Sequence, residues 1–172
     1  MSGLSSIIKF PAIGLEGLFG KIKRTLAQFK DDDSSSQVSL LDLKKLHHPF
    51  ATSNGMELVE AKPGYIRAEV QTAETGEHNN SYGTVHGGYT TTMSDSAMAA
   101  AAQTLAPEGH DAVSAEIYKR FNLPVKPGEK LTVHAQDFGM GGGFRKIGAV
   151  VKNNDGRIVS IAGGQFSYQQ SV

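Results

Sequence analysis

The run Ala97-Met98-Ala99-Ala100-Ala101-Ala102 constrains this chain more than any other stretch. Alanine is the best helix former, and a run with one long side chain among six presents almost no bulk on any side. Such a helix has no single apolar stripe to bury, and its backbone can be approached closely all round. The pattern predicts a helix over residues 88–105 that the rest of the domain wraps. The chain has 172 residues, enough for one domain with its own core and too few for two ordinary ones.

Strand patterns stand on either side of that helix. Residues 65–72 alternate, with Ile66, Ala68 and Val70 on one face and Arg67, Glu69 and Gln71 on the other. Together with residues 56–61 and the link Lys62-Pro63-Gly64 they predict a hairpin. Beyond the helix, residues 112–123 are expected to turn Val113, Ala115 and Ile117 to one face and Ser114 and Glu116 to the other. Residues 130–137 put Leu131, Val133 and Ala135 inward, and residues 144–152 and 157–168 pair over Asn153-Asn154-Asp155-Gly156, a strong turn signal. A short helix is expected over residues 40–48, ended by Pro49. The order predicts an α+β class: one antiparallel sheet wrapped around one long helix.

Residues 1–36 read as an extension of a domain spanning 37–172. Leu15, Leu18, Phe19, Ile22, Leu26 and Phe29 fall on one narrow helical stripe, with Glu16, Lys21, Lys23, Arg24 and Lys30 off it. Gly14, Gly17 and Gly20 weaken the first half, and the polar run 31–36 ends it. Docking on its own domain or on a partner subunit is the expected use of this helix; membrane-surface contact and a removed targeting segment are the competing ones.

Composition removes several function classes. With no Cys there is no disulfide framework, thiolate metal site or Cys nucleophile, which agrees with a cytoplasmic location. Seventeen Lys+Arg balance seventeen Asp+Glu, so the electrostatic footprint of a nucleic-acid binder is missing. No apolar stretch approaches the ~20 residues of a membrane span. His47, His48, His78, His110 and His134 lack metal-ligand spacing and are expected at the surface or in loops. Nothing matches a Gly-x-Ser-x-Gly elbow, and Gly141-Gly142-Gly143 lacks the ending of a phosphate loop.

The chemistry concentrates in Asn80-Ser81-Tyr82-Gly83-Thr84-Val85-His86-Gly87-Gly88, followed by Asp95. Gly87 and Gly88 stand where the helix begins, so their N–H groups and the helix dipole point outward, a natural place to stabilise a developing oxyanion. Asp95 lies about two turns into the helix, where Asp costs roughly 0.5–0.7 kcal/mol against Ala. A carboxylate there is a candidate base or nucleophile. The competing reading of the same residues is a tight turn, a hydrogen-bonded His86 and an exposed Asp95.

The string Asn80-x-x-Gly83-x-x-His86-Gly87-Gly88 with Asp95 resembles the motif of hotdog-fold acyl-CoA thioesterases, in particular the phenylacetate-pathway (PaaI-like) branch. The resemblance covers residues 46–168. It implies a hotdog fold and hydrolysis of an aromatic or medium-chain acyl-CoA to free acid and CoA, with CoA as part of the substrate and no cofactor or metal. It implies that Asp95 activates water or attacks the thioester, that the Gly87 N–H polarises the carbonyl, that Asn80 positions the thioester or the nucleophile, and that His86 holds the loop. Ser114 matches a water-positioning serine. The resemblance also implies a homodimer, or a tetramer of two dimers with the 15–29 stripe offering the second contact, whose site takes the 80–87 loop from one subunit and Asp95 and Ser114 from the other. Gly88, Tyr82, Tyr89 and Met93 are candidates for the acyl pocket, and Arg145 and Lys146 for the CoA phosphates; Lys119-Arg120 is ambiguous. The alternative is a non-catalytic acyl-CoA-binding protein or scaffold on the same fold.

Overall fold

The computed structural model describes residues 15–28, 46 and 49–171. The elements are α1 (Leu15–Leu26), α2 (Pro49–Ser53), β1 (Met56–Lys62), β2 (Tyr65–Gln71), α3 (Gly87–Gln103), β3 (His110–Phe121), β4 (Lys130–Gly141), β5 (Phe144–Lys152) and β6 (Ile158–Gln170). The helix expected over residues 40–48 lies outside the described residues except for Leu46, which sits buried in a turn. The short helix nearby begins at Pro49 instead of ending before it, because proline suits the first helical position, where no N–H is needed.

Six strands form one antiparallel sheet in the order β1-β2-β4-β5-β6-β3. Its inner face wraps α3, whose Met93, Ala97, Met98, Ala101 and Ala102 have no exposed surface. They pack with Ile66, Val133, Ala149 and Phe166 from four different strands in one core. The expected central helix and both hairpins are therefore present, and the architecture is the α+β one that the pattern predicts.

Two polar residues keep to the expected face of the sheet and are nevertheless buried. Arg67, on the face opposite Ile66 and Ala68, is 6% exposed and is held between Glu60 at 3.5 Å and Glu69 at 3.3 Å. His134, expected at the surface, is fully buried on β4 and hydrogen-bonds through Nδ1 with the Tyr65 hydroxyl at 3.0 Å. In both cases a paired polar side chain replaces solvent with a fixed partner.

The larger correction concerns β3. The register against β6 shifts between Ser114 and Glu116, so one extra residue is inserted there. Val113, expected on the same face as Ile117, is 45% exposed, whereas Ser114 stands opposite the core residue Phe166. Past the bulge the faces exchange, and Ile117 returns to the core.

Helix α1 lies on the opposite face of the sheet. Phe19, Ile22 and Leu26 are buried there with Val150 and Ile161, and Leu18, Tyr118, Phe138 and Ile158 pack around them. Two glycines make the seat. Gly148 of β5 and Gly163 of β6 are register partners, and a Cβ on Gly148 would stand 2.7 Å from both Ile22 Cγ1 and Phe138 Cε2. On Gly163 a Cβ would come within 3.2 Å of Ile22 Cδ1. Arg120 adds a forked ion pair to Glu16 and stacks over the Phe19 ring at 4.8 Å. The described part of the stripe is thus covered by its own domain, which corrects the expectation that it offers a second subunit contact; Phe29 lies outside the described residues. No helix among the described residues is long and apolar enough to cross a membrane.

Replacing Ile22 by Ala removes the side chain that fills the glycine seat and should destabilise α1 docking by about 2–5 kcal/mol. Trypsin should then cut near Lys21, Lys23 and Arg24 much faster, while the thermal transition of the remaining domain stays in place. Unchanged cleavage rates would show that the helix does not depend on this seat.

Candidate active site

The loop before α3 is closed on itself. Asn80 Oδ1 accepts from the N–H groups of Tyr82 at 2.9 Å and Thr84 at 3.2 Å, and Asn80 Nδ2 donates to Thr84 Oγ1 at 2.9 Å. Gly83, with φ of 75°, closes the turn by donating to Asn80 O at 3.2 Å. Both polar atoms of the Asn80 side chain thus serve to shape this loop, and Tyr82 projects from it, 89% exposed.

The loop delivers His86 to the N-cap of α3. His86 Nδ1 accepts from the Gly88 N–H at 2.8 Å, which places the ring proton of the neutral imidazole on Nε2. This cap distinguishes the two glycines. The Gly88 N–H is satisfied, so Gly88 is not a donor to a ligand, whereas the Gly87 N–H has no acceptor among the described residues. The Gly87 carbonyl accepts from Thr90 Oγ1 at 3.0 Å and Thr91 Oγ1 at 2.8 Å, which fixes the first turn. One pre-oriented N–H at a helix N-terminus remains.

Asp95 is half-buried on α3, and the Ser114 hydroxyl donates to its Oδ1 at 2.6 Å. That length is typical of a hydroxyl on a carboxylate. It holds the carboxyl group in one orientation, and Oδ2 has no partner among the described residues. The β3 bulge produces this contact by turning Ser114 toward the helix. Eight residues separate Gly87 from Asp95, about 12 Å along a helix axis.

Lys119 lies between them. Its Nζ donates to Ser94 Oγ at 2.8 Å and to the Thr90 carbonyl, and stands 5.5 Å from the centre of the Phe121 ring. Burial pushes its pKa down to about 7. Arg120, next along the strand, points to the other face and to Glu16, so the Lys119-Arg120 pair is split by alternation. The sequence carries a signal for Lys119 only to a reader who knows the bulge.

A cleft of about 330 Å³ opens beside Gly87, lined by Val85, Thr90, the 121–125 segment, Val159 and Ser160. The expected pocket residues lie elsewhere. Tyr89 is buried, donates to Asn54 O at 2.7 Å and stacks on His78 at 3.9 Å. Burial raises its pKa to about 12. Met93 is a fully buried core residue. Arg145 pairs with Asp137 at 3.0 Å, while Lys146 lines a smaller cavity beside α1 with Lys21 and Phe138. Arg145 lies two strands from Ser114, with Phe166 between them in register. Among the described residues no group of three His, Asp or Glu is placed to hold a metal ion.

Two measurements test these assignments. Unfolded lysine keeps its proton up to about pH 10.5, whereas folded Lys119 releases it near 7. Stability from this residue is therefore full above pH 10.5 and lost as pH falls toward 7. Denaturant titrations from pH 7 to 10.5 should show that slope in the native chain and a flatter one in Lys119→Met; equal slopes would place the titration elsewhere. His86→Ala should cost about 1 kcal/mol through loss of the cap, and His86→Asn, which restores an acceptor, should recover most of it.

The family model of the thioesterase superfamily matches residues 82–159, from the loop through α3 to the start of β6. A search of curated protein sequences finds no match. Among solved structures, the PaaI protein from the E. coli phenylacetic acid degradation operon aligns with a TM-score of 0.67 at 19% identity, over 77% of this chain and 92% of that one. A Haemophilus influenzae thioesterase aligns with a TM-score of 0.66 at 18% identity, over 78% and 93%. A Streptococcus mutans protein solved bound to acetyl-CoA aligns with a TM-score of 0.61 at 20% identity, over 68% and 90%. The structural likenesses show the fold, the hotdog fold of those thioesterases, and residues 82–159 resemble the thioesterase superfamily.

Proposed function

We propose that this protein is a cytoplasmic acyl-CoA thioesterase of the PaaI-like type that depends on Asp95 and works as a homodimer. The observation that carries the reading is the pair of prepared groups on α3: a Gly87 N–H without an acceptor, and an Asp95 carboxylate held by Ser114. The first is suited to the oxygen of a thioester carbonyl as it gains negative charge, an interaction worth roughly 3–4 kcal/mol in comparable sites. The second supplies an electron pair, either to a proton of water or to the thioester carbon itself. In either case a C–O bond forms, the C–S bond breaks, and one water is consumed to leave a carboxylic acid and the thiol of CoA. The Streptococcus mutans protein with acetyl-CoA supports a CoA thioester as ligand of this fold.

The separation of Gly87 and Asp95 by eight residues, about 12 Å of rise along the axis of α3, supports the dimer, because a second copy can bring its Asp95 to the first copy's Gly87. Strand β3 lies at the edge of the sheet, paired only with β6, and offers its free side for edge-to-edge pairing.

Thiol release from a panel of acyl-CoAs tests the activity. Asp95→Asn should lower kcat by about 10³-fold or more with the fold retained, since the isosteric amide neither accepts a proton nor attacks. Saturable binding with no turnover in the native chain would leave a non-catalytic scaffold. Oxygen-18 water under single turnover identifies direct attack where the label appears on Asp95, as it does when water opens the mixed anhydride at the Asp95 carbonyl. Gly87→Leu, whose side chain would drive into the Phe121 ring that a Cβ already meets at 3.1 Å, should also be inactive. Co-refolding the two inactive variants should restore about a quarter of the activity if each site draws on two subunits. No recovery would confine the site to one chain.

A further inference from the structure

Ser160 lines the cleft beside Gly87 and is 1% exposed, yet its Oγ has no hydrogen-bond partner. It is the only buried hydroxyl in that condition among the described residues. Its register partners are Phe121 on β3 and Val151 on β5, and Val159, Ile161 and Ala162 flank it on β6. In such company a residue chosen for folding alone is apolar, because a buried hydroxyl without a partner weakens the folded state. The remaining lining is mostly apolar, with Val85, Phe121, Leu123, Pro124 and Val125 beside the polar Thr90 and Asn122. The cleft, at about 330 Å³, is roughly twice the ~150 Å³ cavity that takes benzene, so it has room for about a dozen heavy atoms.

We propose that this cleft is the acyl pocket of the thioesterase site and that Ser160 is its specificity residue, hydrogen-bonding an oxygen carried on an otherwise apolar acyl group of medium length. The inference rests on the thioesterase reading for the identity of the ligand. The placement supports it: an acyl carbonyl on the Gly87 N–H leaves the acyl group at the mouth of this cleft. Ser160 then distinguishes a hydroxy- or oxo-substituted acyl group from its plain alkyl counterpart, which would leave the hydroxyl unpaired.

Non-hydrolysable CoA thioethers test the pocket apart from turnover. Calorimetry would compare alkyl-CoA thioethers of six, eight and ten carbons with their terminally hydroxylated counterparts. One hydroxylated chain length should bind the native protein about tenfold tighter than its alkyl partner. Ser160→Ala should abolish that difference, leave alkyl binding unchanged, and melt at or above the native temperature. Absence of a preference at every length, an equal loss for both ligands, or a lower melting temperature would each overturn the assignment. The corresponding thioesters, assayed by thiol release, separate the two readings. Selective thioether binding without hydrolysis would sink the catalytic reading and keep the pocket. Hydrolysis without selectivity would do the reverse.

Discussion

The methyl groups of Ala97, Ala100, Ala101 and Ala102 let the sheet close around the second half of α3, and each of these residues is at most 1% exposed. Close packing of small side chains needs no matching of large shapes and leaves little room for motion. The Tyr168 hydroxyl donates to the Ala102 carbonyl at 3.0 Å, so the C-terminal end of the helix is tied as well as packed. The first half of the helix is different in kind. It carries Gly87, Thr90, Ser94 and Asp95, and its polar groups meet polar partners from the loop and from β3. One helix therefore has a half that anchors the fold and a half that presents chemistry, each position set by the other through a rigid rod.

The bulge in β3 aligns the half that presents chemistry. Without the extra residue between Ser114 and Glu116, strict alternation would turn either Ser114 or Lys119 away from the helix. With it, Ser114 reaches Asp95, Lys119 reaches Thr90 and Ser94, and the Phe121 ring covers Gly87. Three side chains of one strand thus address the first turns of one helix. Lys119 is the costly member, since its ammonium is pulled from water and its pKa falls to about 7.

Helix α1 closes the other side of the sheet. The paired glycines Gly148 and Gly163 lower the strand surface where Ile22 enters, a fit that depends on the register of β5 against β6. The ion pair of Glu16 with Arg120 is solvent-exposed and adds little by itself. The buried apolar stripe supplies the attachment, and the same burial removes that face of the sheet from other uses.

Features set by neighbours along the chain are legible in the amino-acid sequence alone. The alanine run, the alternation of residues 65–72, the Asp155-Gly156 turn and the spacing from Asn80 to Asp95 are local patterns, and the helix, the hairpins and the site loop follow from them. Features that depend on register or on distant partners are decided by the tertiary structure. The bulge has no sequence mark, so plain alternation groups Val113 with Ile117 on one face, whereas the fold puts them on opposite faces. Asn80, His86 and Gly88 are recognisable as a group, but only the hydrogen bonds show that Asn80 shapes the loop and that His86 occupies the Gly88 N–H, leaving Gly87 alone to donate. Tyr89 and Met93 look like pocket residues in a linear text, yet they turn into the core because side chains 100° apart on a helix meet different neighbours. Lys119 and Ser160 carry no functional mark in the sequence for the same reason: what makes each unusual is the apolar surface that folding brings around it.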